Sequence, residues 1–274
     1  MSVISSTMIP IAIVSCNSFQ ILFSIELDIE NKVVQIRLRN WETDTVENSY
    51  SVDREYFYYA QLIENCFEII TEVKQSKTQK MIYKMTEDLI SVVLSPTEIK
   101  VNKLLQSKIE SQIDDLSKSL FGESYILPQR ESDVIKELIL NNFYKLSLLK
   151  ELNGVKITDK YLRDKGVEGY PRYIKFFDDT IGEGKAKSQT SKESVLTTDV
   201  FYDNRARLKQ SNNICFSTIY WLSIPNTKQP YGISFYLNRT NTADKKYFFK
   251  YIVKNHFFYK EQSDYVLQKI IEYY

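Results

Sequence analysis

Histidine is almost absent: His256 is the only one in 274 residues. A two-histidine zinc site is therefore out of reach of a single chain, and a Ser-His-Asp triad would have to use His256 itself. His256 stands among Asn255, Phe257 and Phe258, where packing against an aromatic face is the simpler expectation than general-base work. Glycine is scarce too, seven in all with none before Gly122, so that whole leading region has no glycine-rich phosphate loop and no dinucleotide fingerprint. Cys16, Cys66 and Cys215 are odd in number, widely spaced and match no C-x-x-C metal or redox pattern. They read as reduced thiols, with Cys66 and Cys215 in apolar runs and so expected in the core. A net charge is also missing, because 36 Lys plus Arg face 35 Asp plus Glu, and no whole-molecule field draws the chain to nucleic acid or to a membrane. The apolar stretch "MIPIAIVSCNSFQILFSIELD" is broken by Cys-Asn-Ser and has no basic residue before it. It is expected to be a buried strand of a cytoplasmic protein, not a signal peptide or a spanning helix.

What is present is enough apolar material for a core, at 43% hydrophobic residues, in a chain long enough for one large domain or two modest ones. "FQILFSIELD", "IENK" and "VVQIRLRN" alternate as an antiparallel hairpin, and "FEIITEV" follows as a strand. "DREYFYYAQLIEN" fits either a short helix or a strand. "SPTE" at residues 95–98 has the form of an N-terminal cap, with Ser95 as N-cap, Pro96 in the first turn and Glu98 closing a capping box. A helix is predicted from Pro96 to about Phe121, burying Leu104, Leu105, Ile109, Ile113, Leu116 and Leu120. A second helix, from Ser132 to about Leu152, carries Val134, Ile135, Leu138, Ile139, Leu146 and Leu149 and stops with Gly154 as its left-handed cap.

Residues 158–177 read as two short helices resembling a small helix-turn-helix, with Arg172 and Lys175 on the second. "GEGKAKSQTSKES", residues 182–194, reads as a polar, mobile linker. "ICFSTIYWLSI" and "YGISFYLN" form a predicted hairpin, and "TADKKYFFKYIVKNHFFYK" and "SDYVLQKIIEYY" are predicted helices, the last capped by Ser263. The expected architecture is α+β: an antiparallel β-rich part over 1–95, a helical part over 96–177, a flexible linker over 178–199, and a basic, aromatic-rich hairpin-plus-helices part over 200–274.

The chemistry-bearing candidates are few. Asp53, Glu72 and Lys74 resemble the acid, acid and lysine of the PD-(D/E)XK nucleases, and Gln79 and Tyr83 resemble the Q-x-x-x-Y that follows the lysine in RecB-like members. The spacing from Lys74 to Gln79 is shorter than in that subgroup, and no proline precedes Asp53. The resemblance implies that Asp53 and Glu72 hold Mg²⁺ while Lys74 positions the attacking water. Acid-x-Lys pairs are common by chance, as at Glu98, Glu183 and Asp244, and Glu72 is singled out because it ends an apolar strand. The carboxylate pairs Asp178/Asp179 and Asp199/Asp203 are further metal candidates, with solvated loop acids as the commoner meaning of such pairs.

Charge is unevenly spread, and residues 200–274 carry 11 basic against 5 acidic side chains, a net of +6. Arg205, Arg207, Lys209, Lys246, Lys250 and Lys254 are therefore the candidate nucleic-acid contacts, interleaved with aromatics as in single-strand binders. An amphipathic helix with a solvated lysine stripe has the same pattern. The functional expectation is a protein acting on nucleic acid, a Mg²⁺-dependent nuclease in host–virus or mobile-element conflict. Its alternative is a non-catalytic interaction or assembly protein, such as a viral or accessory factor, that binds another protein through an aromatic-rich surface without cofactor.

Overall fold

The structure, a computed structural model, describes residues 7–16, 23–28, 33–40, 52–67, 70–71, 73–153, 157, 159–177, 182–190, 193–224, 231–239, 247–253 and 260–274. In chain order these hold β1 (Thr7–Cys16), β2 (Phe23–Asp28), β3 (Val33–Asn40), α1 (Val52–Phe67), β4 (Ile70–Thr71), α2 (Gln75–Phe121), α3 (Gln129–Leu152) and α4 (Asp159–Asp164). Then come β5 (Gly169–Phe177), β6 (Glu183–Lys187), a 3-10 turn (Val195–Thr197), α5 (Asp199–Ser211), β7 (Phe216–Trp221), β8 (Tyr231–Arg239), β9 (Tyr247–Val253) and α6 (Lys260–Tyr273). The class is α+β, as expected. The chain divides into two compact units, one made of residues 1–85 with 215–274 and the other of residues 86–214.

In the first unit the strands run in the order β2-β3-β1-β9-β8-β7. β2 and β3 form the expected antiparallel hairpin, with Phe23 opposite Leu38 and Asp28 opposite Val33. The sheet is mixed, however, because β1 lies parallel to both β3 and β9 and β4 adds two more parallel pairs at Thr7 and Met8. A strand flanked on both sides needs an almost unbroken apolar run, which "IPIAIV" supplies. Pro10 is tolerated because pairing with β9 begins only at Ile11.

The stretch around Lys250, expected to be helical, is β9. "YFFKYIV" is aromatic and β-branched, and it pairs antiparallel with β8 over Ile233–Val253 to Arg239–Tyr247. β7 and β8 pair antiparallel as expected, and α6 runs from Lys260, so Ser263 lies inside it. Val34 and Ile36 alternate into the core with Ile219, Trp221, Ile233, Phe235 and Phe249, joined by Val266 and Ile270 one turn apart on α6. The Phe235 and Phe249 rings stack at 6.2 Å, and Trp221 meets Tyr265 edge-on at 6.0 Å.

The second unit departs most from expectation. α2 does not begin at Pro96; it begins at Gln75 and carries the proline inside it. Its later half packs antiparallel on α3: Lys100 pairs with Glu151 at 3.0 Å, Tyr144 bonds Asn102 at 2.6 Å, and Lys136 pairs with Glu110. Val101, Ile109, Ile113 and Ser117 of α2 are buried with Leu140, Tyr144, Leu148 and Leu152 of α3. α3 ends where predicted, with Asn153 in the left-handed conformation at φ 45°, while Gly154 lies outside the described residues.

The helix-turn-helix reading fails, since only α4 is helical and Arg172 and Lys175 lie on β5. The segment read as a mobile linker supplies β6, paired with β5 from Tyr173–Lys187 to Phe177–Glu183. Gly184 is required there: the Phe176 ring lies over it, on the space a Cβ would fill.

Candidate functional site

Neither Asp53 nor Lys74 lies on a strand. β4 ends at Thr71, Lys74 is exposed in the irregular stretch before α2, and Asp53 is the second residue of α1. Glu72 lies outside the described residues. Gln79 and Tyr83 are on α2, where a spacing of four puts them on one helical face. Among the described residues no group of three or more His, Cys, Asp or Glu is placed to hold a metal ion. Of the other acidic candidates, Asp199 pairs with Lys145 and Asp203 is exposed on α5, while Asp178 and Asp179 lie outside the described residues, as does His256. Cys66 is exposed at the end of α1, contrary to the expectation of a core thiol, and Cys215 is half-buried.

The basic candidates scatter. Arg207 is exposed and Lys209 half-buried on α5, Lys250 is on β9 opposite Tyr236 of β8, and Lys246 and Lys254 lie outside the described residues. Arg205 is 0% exposed, so it presents nothing to a phosphate. Its guanidinium is the centre of a buried ion cluster inside the second unit. Nη2 lies 2.8 Å from Glu87 Oε1 and 2.8 Å from Glu98 Oε1, with Nη1 reaching Glu87 Oε2 at 3.3 Å and Nε reaching Glu98 Oε1 at 3.2 Å. The Phe201 ring lies 5.4 Å beneath it. Lys209 adds weaker contacts to Glu98 at 3.7 Å and Glu137 at 3.8 Å. Burial works against the Arg205 charge, but Glu87 and Glu98 outweigh it and hold its pKa above the ordinary value. Lys175 and Arg172 are likewise engaged, the first with Glu183 at 2.7 Å and the second with the Thr190 carbonyl at 3.0 Å.

The cluster explains the helix through Pro96. Glu87 and Glu98 are eleven residues apart, a rise of about 16 Å in a straight helix. One nitrogen held 2.8 Å from both carboxylates requires α2 to bend toward it. Pro96 lies on roughly the opposite face at about 100° per residue, where a ring that displaces the carbonyl of the preceding turn opens the outer side of such a bend. Ser95 and Glu98 therefore act inside a helix, and Glu98 is an ion-pair partner, not a cap.

Beside the cluster, Tyr144 donates to Asn102 Oδ1, and burial, followed by Glu137 and Glu98, pushes its pKa from 10.0 up to about 12. Since the folded value lies above the unfolded one, this contribution to stability is intact below pH about 10 and is lost as the pH climbs to about 12. Tyr144→Phe is expected to flatten the fall of unfolding free energy over that interval, measured by urea titration at several pH values; an unchanged slope would sink the assignment. Asn141, buried one turn before Lys145, has neither amide atom hydrogen-bonded, and Glu137 Oε2 also lacks a hydrogen bond.

The feature that sequence periodicity misplaced is the outside of the α2–α3 hairpin. Of the six α2 residues expected to be buried, Ile109 and Ile113 are, whereas Leu104, Leu116 and Leu120 are exposed. The Phe121 and Tyr125 rings meet at a tilt of 43°, their centroids 4.7 Å apart, at the turn between the helices, next to Ile126, which is 87% exposed. On α3, Val134, Ile135, Leu138, Phe143, Leu146 and Leu149 are exposed as well, while Leu140, Tyr144 and Leu148 are buried, Tyr144 against Asn102 of α2. The signal was present in the sequence as more apolar residues than one helical face can hold. Among the described residues no helix is long and apolar enough to cross a membrane. No protein-family model, no curated protein and no solved structure matches the chain.

Proposed function

We propose that this chain is a non-catalytic interaction or assembly protein that docks another polypeptide on the α2–α3 hairpin. The observation that carries the reading is the concentration of exposed apolar side chains there, from Leu116, Leu120, Phe121 and Ile126 at the tip to Leu146 and Leu149 along α3. Exposed apolar side chains gathered in this number on one hairpin cost solubility and are kept where a partner covers them. Its makeup is mainly aliphatic, where the sequence had pointed to aromatics.

A photoreactive amino acid placed at Ile126 or at Leu146 is expected to crosslink to polypeptide in the cells that make the protein. In parallel, linear, circular and single-stranded DNA and RNA incubated with the protein in Mg²⁺ or EDTA are expected to stay intact. Absence of any polypeptide crosslink from both positions overturns the proposal. So does Mg²⁺-dependent cleavage that disappears in a Glu72→Ala, Lys74→Ala variant.

A further inference from the structure

On α3 the exposed apolar residues are ordered. Ile135, Leu138, Leu146 and Leu149 are 39%, 38%, 59% and 44% exposed, and at about 100° per residue they share an arc of roughly 80°. Asn142 lies in the middle of the same arc. Ile135 and Leu149 stand seven residues either side of it, and Leu138 and Leu146 stand four either side. The stripe is thus a palindrome about Asn142, about 21 Å long and free of charged side chains.

We infer that this stripe pairs with the same stripe of a second copy, antiparallel, across a two-fold axis at Asn142. The inference rests on the reading of the hairpin as a polypeptide-docking surface and names the polypeptide. An isologous interface has to be self-complementary under a two-fold rotation. In an antiparallel pair centred on Asn142, each Ile135 meets the other copy's Leu149 and each Leu138 meets its Leu146. A parallel coiled coil would instead need the alternating three-and-four repeat to continue, and that repeat calls for an apolar residue at 145. Position 145 is Lys145, turned to Asp199, and the apolar residue is displaced to Leu146. At the axis two Asn142 side chains face each other. One N–H of Asn142 Nδ2 is given to the Leu138 carbonyl at 2.9 Å, which leaves the second N–H and Oδ1 oriented by the helix for a reciprocal amide pair. A central asparagine that pairs only in register fixes alignment at some cost in stability.

Sedimentation velocity over a dilution series is expected to show a species of twice the 32.3 kDa chain mass that dissociates on dilution. Leu146→Glu is expected to weaken it at least about tenfold while leaving the circular dichroism spectrum unchanged. Direction is tested by charge: Ile135→Lys and Leu149→Glu should each dissociate alone and re-form a dimer when mixed, because only the antiparallel arrangement sets Lys against Glu. A chain that stays monomeric at every concentration, or a dimer indifferent to Leu146→Glu, overturns the self-pairing. A mixture that fails to recover the dimer overturns the antiparallel arrangement. If the wild type is monomeric and Leu146 crosslinks to a different polypeptide, self-pairing alone falls; if nothing crosslinks, the docking reading falls with it.

Discussion

Arg205→Ala is expected to lower the unfolding free energy by about 3 kcal/mol, read from the urea midpoint at neutral pH. The substitution leaves Glu87 and Glu98 aimed at one point with no cation between them, and removing one partner of a buried pair costs about 3–5 kcal/mol. The lower end applies because both carboxylates keep some contact with water. Arg205→Lys should recover only part of the loss, since a single ammonium cannot reproduce the forked contacts to two carboxylates. Arg205→Met combined with Glu87→Gln and Glu98→Gln should lie much closer to wild type than Arg205→Ala, because no charge is then left without a partner. A loss below about 1 kcal/mol for Arg205→Ala would mean that the cluster is relaxed by water and does not hold the bend of α2.

Trp221→Ala is expected to cost about 3–5 kcal/mol, the range for emptying a large aromatic site in a packed core. Trp221 is buried on β7 against Tyr265 of α6, so the cavity would open between the sheet and that helix. Trp221→Phe is the informative companion. Among the described residues the indole Nε1 has no hydrogen-bond partner, and a buried donor left unmade carries a penalty of about 1–3 kcal/mol. Phenylalanine removes that penalty while keeping most of the volume, so its cost should be well under half that of alanine. Equal losses for the two variants would show that the N–H is satisfied and that the whole indole is needed.

Segments whose local pattern and tertiary surroundings agree were legible in the sequence. The β2–β3 and β7–β8 hairpins alternate cleanly and are bounded by turn residues, and α3 and α6 carry helical periodicity. The misreadings share a cause. Lysines four apart at 246, 250 and 254 satisfy both a two-residue and a 3.6-residue period, so "YFFKYIV" could be settled only by its partners β8 and β1. "SPTE" has every local mark of a helix start, yet Thr97, Val93 and Leu94 are buried and Glu98 is held by an arginine 107 residues away. Of the candidate site, the linear pattern marks Arg205 as a phosphate contact and Glu98 as a helix cap. Their pairing was invisible because nothing in a linear pattern joins residues so far apart.

Strand β1 has a consequence for synthesis. Its neighbours on one side, β9 residues such as Phe249 and Tyr251, are encoded more than two hundred positions later, with all of residues 86–214 between. At about 5–20 residues per second, β1 waits on the order of ten to fifty seconds beside a ribosome before that edge is covered. During that interval an apolar strand with an open edge is the part of the nascent chain most exposed to chaperones and to mispairing, whereas residues 86–214 have all of their own sequence in hand. Synthesis of β9, not the emergence of β1, sets when that edge can close.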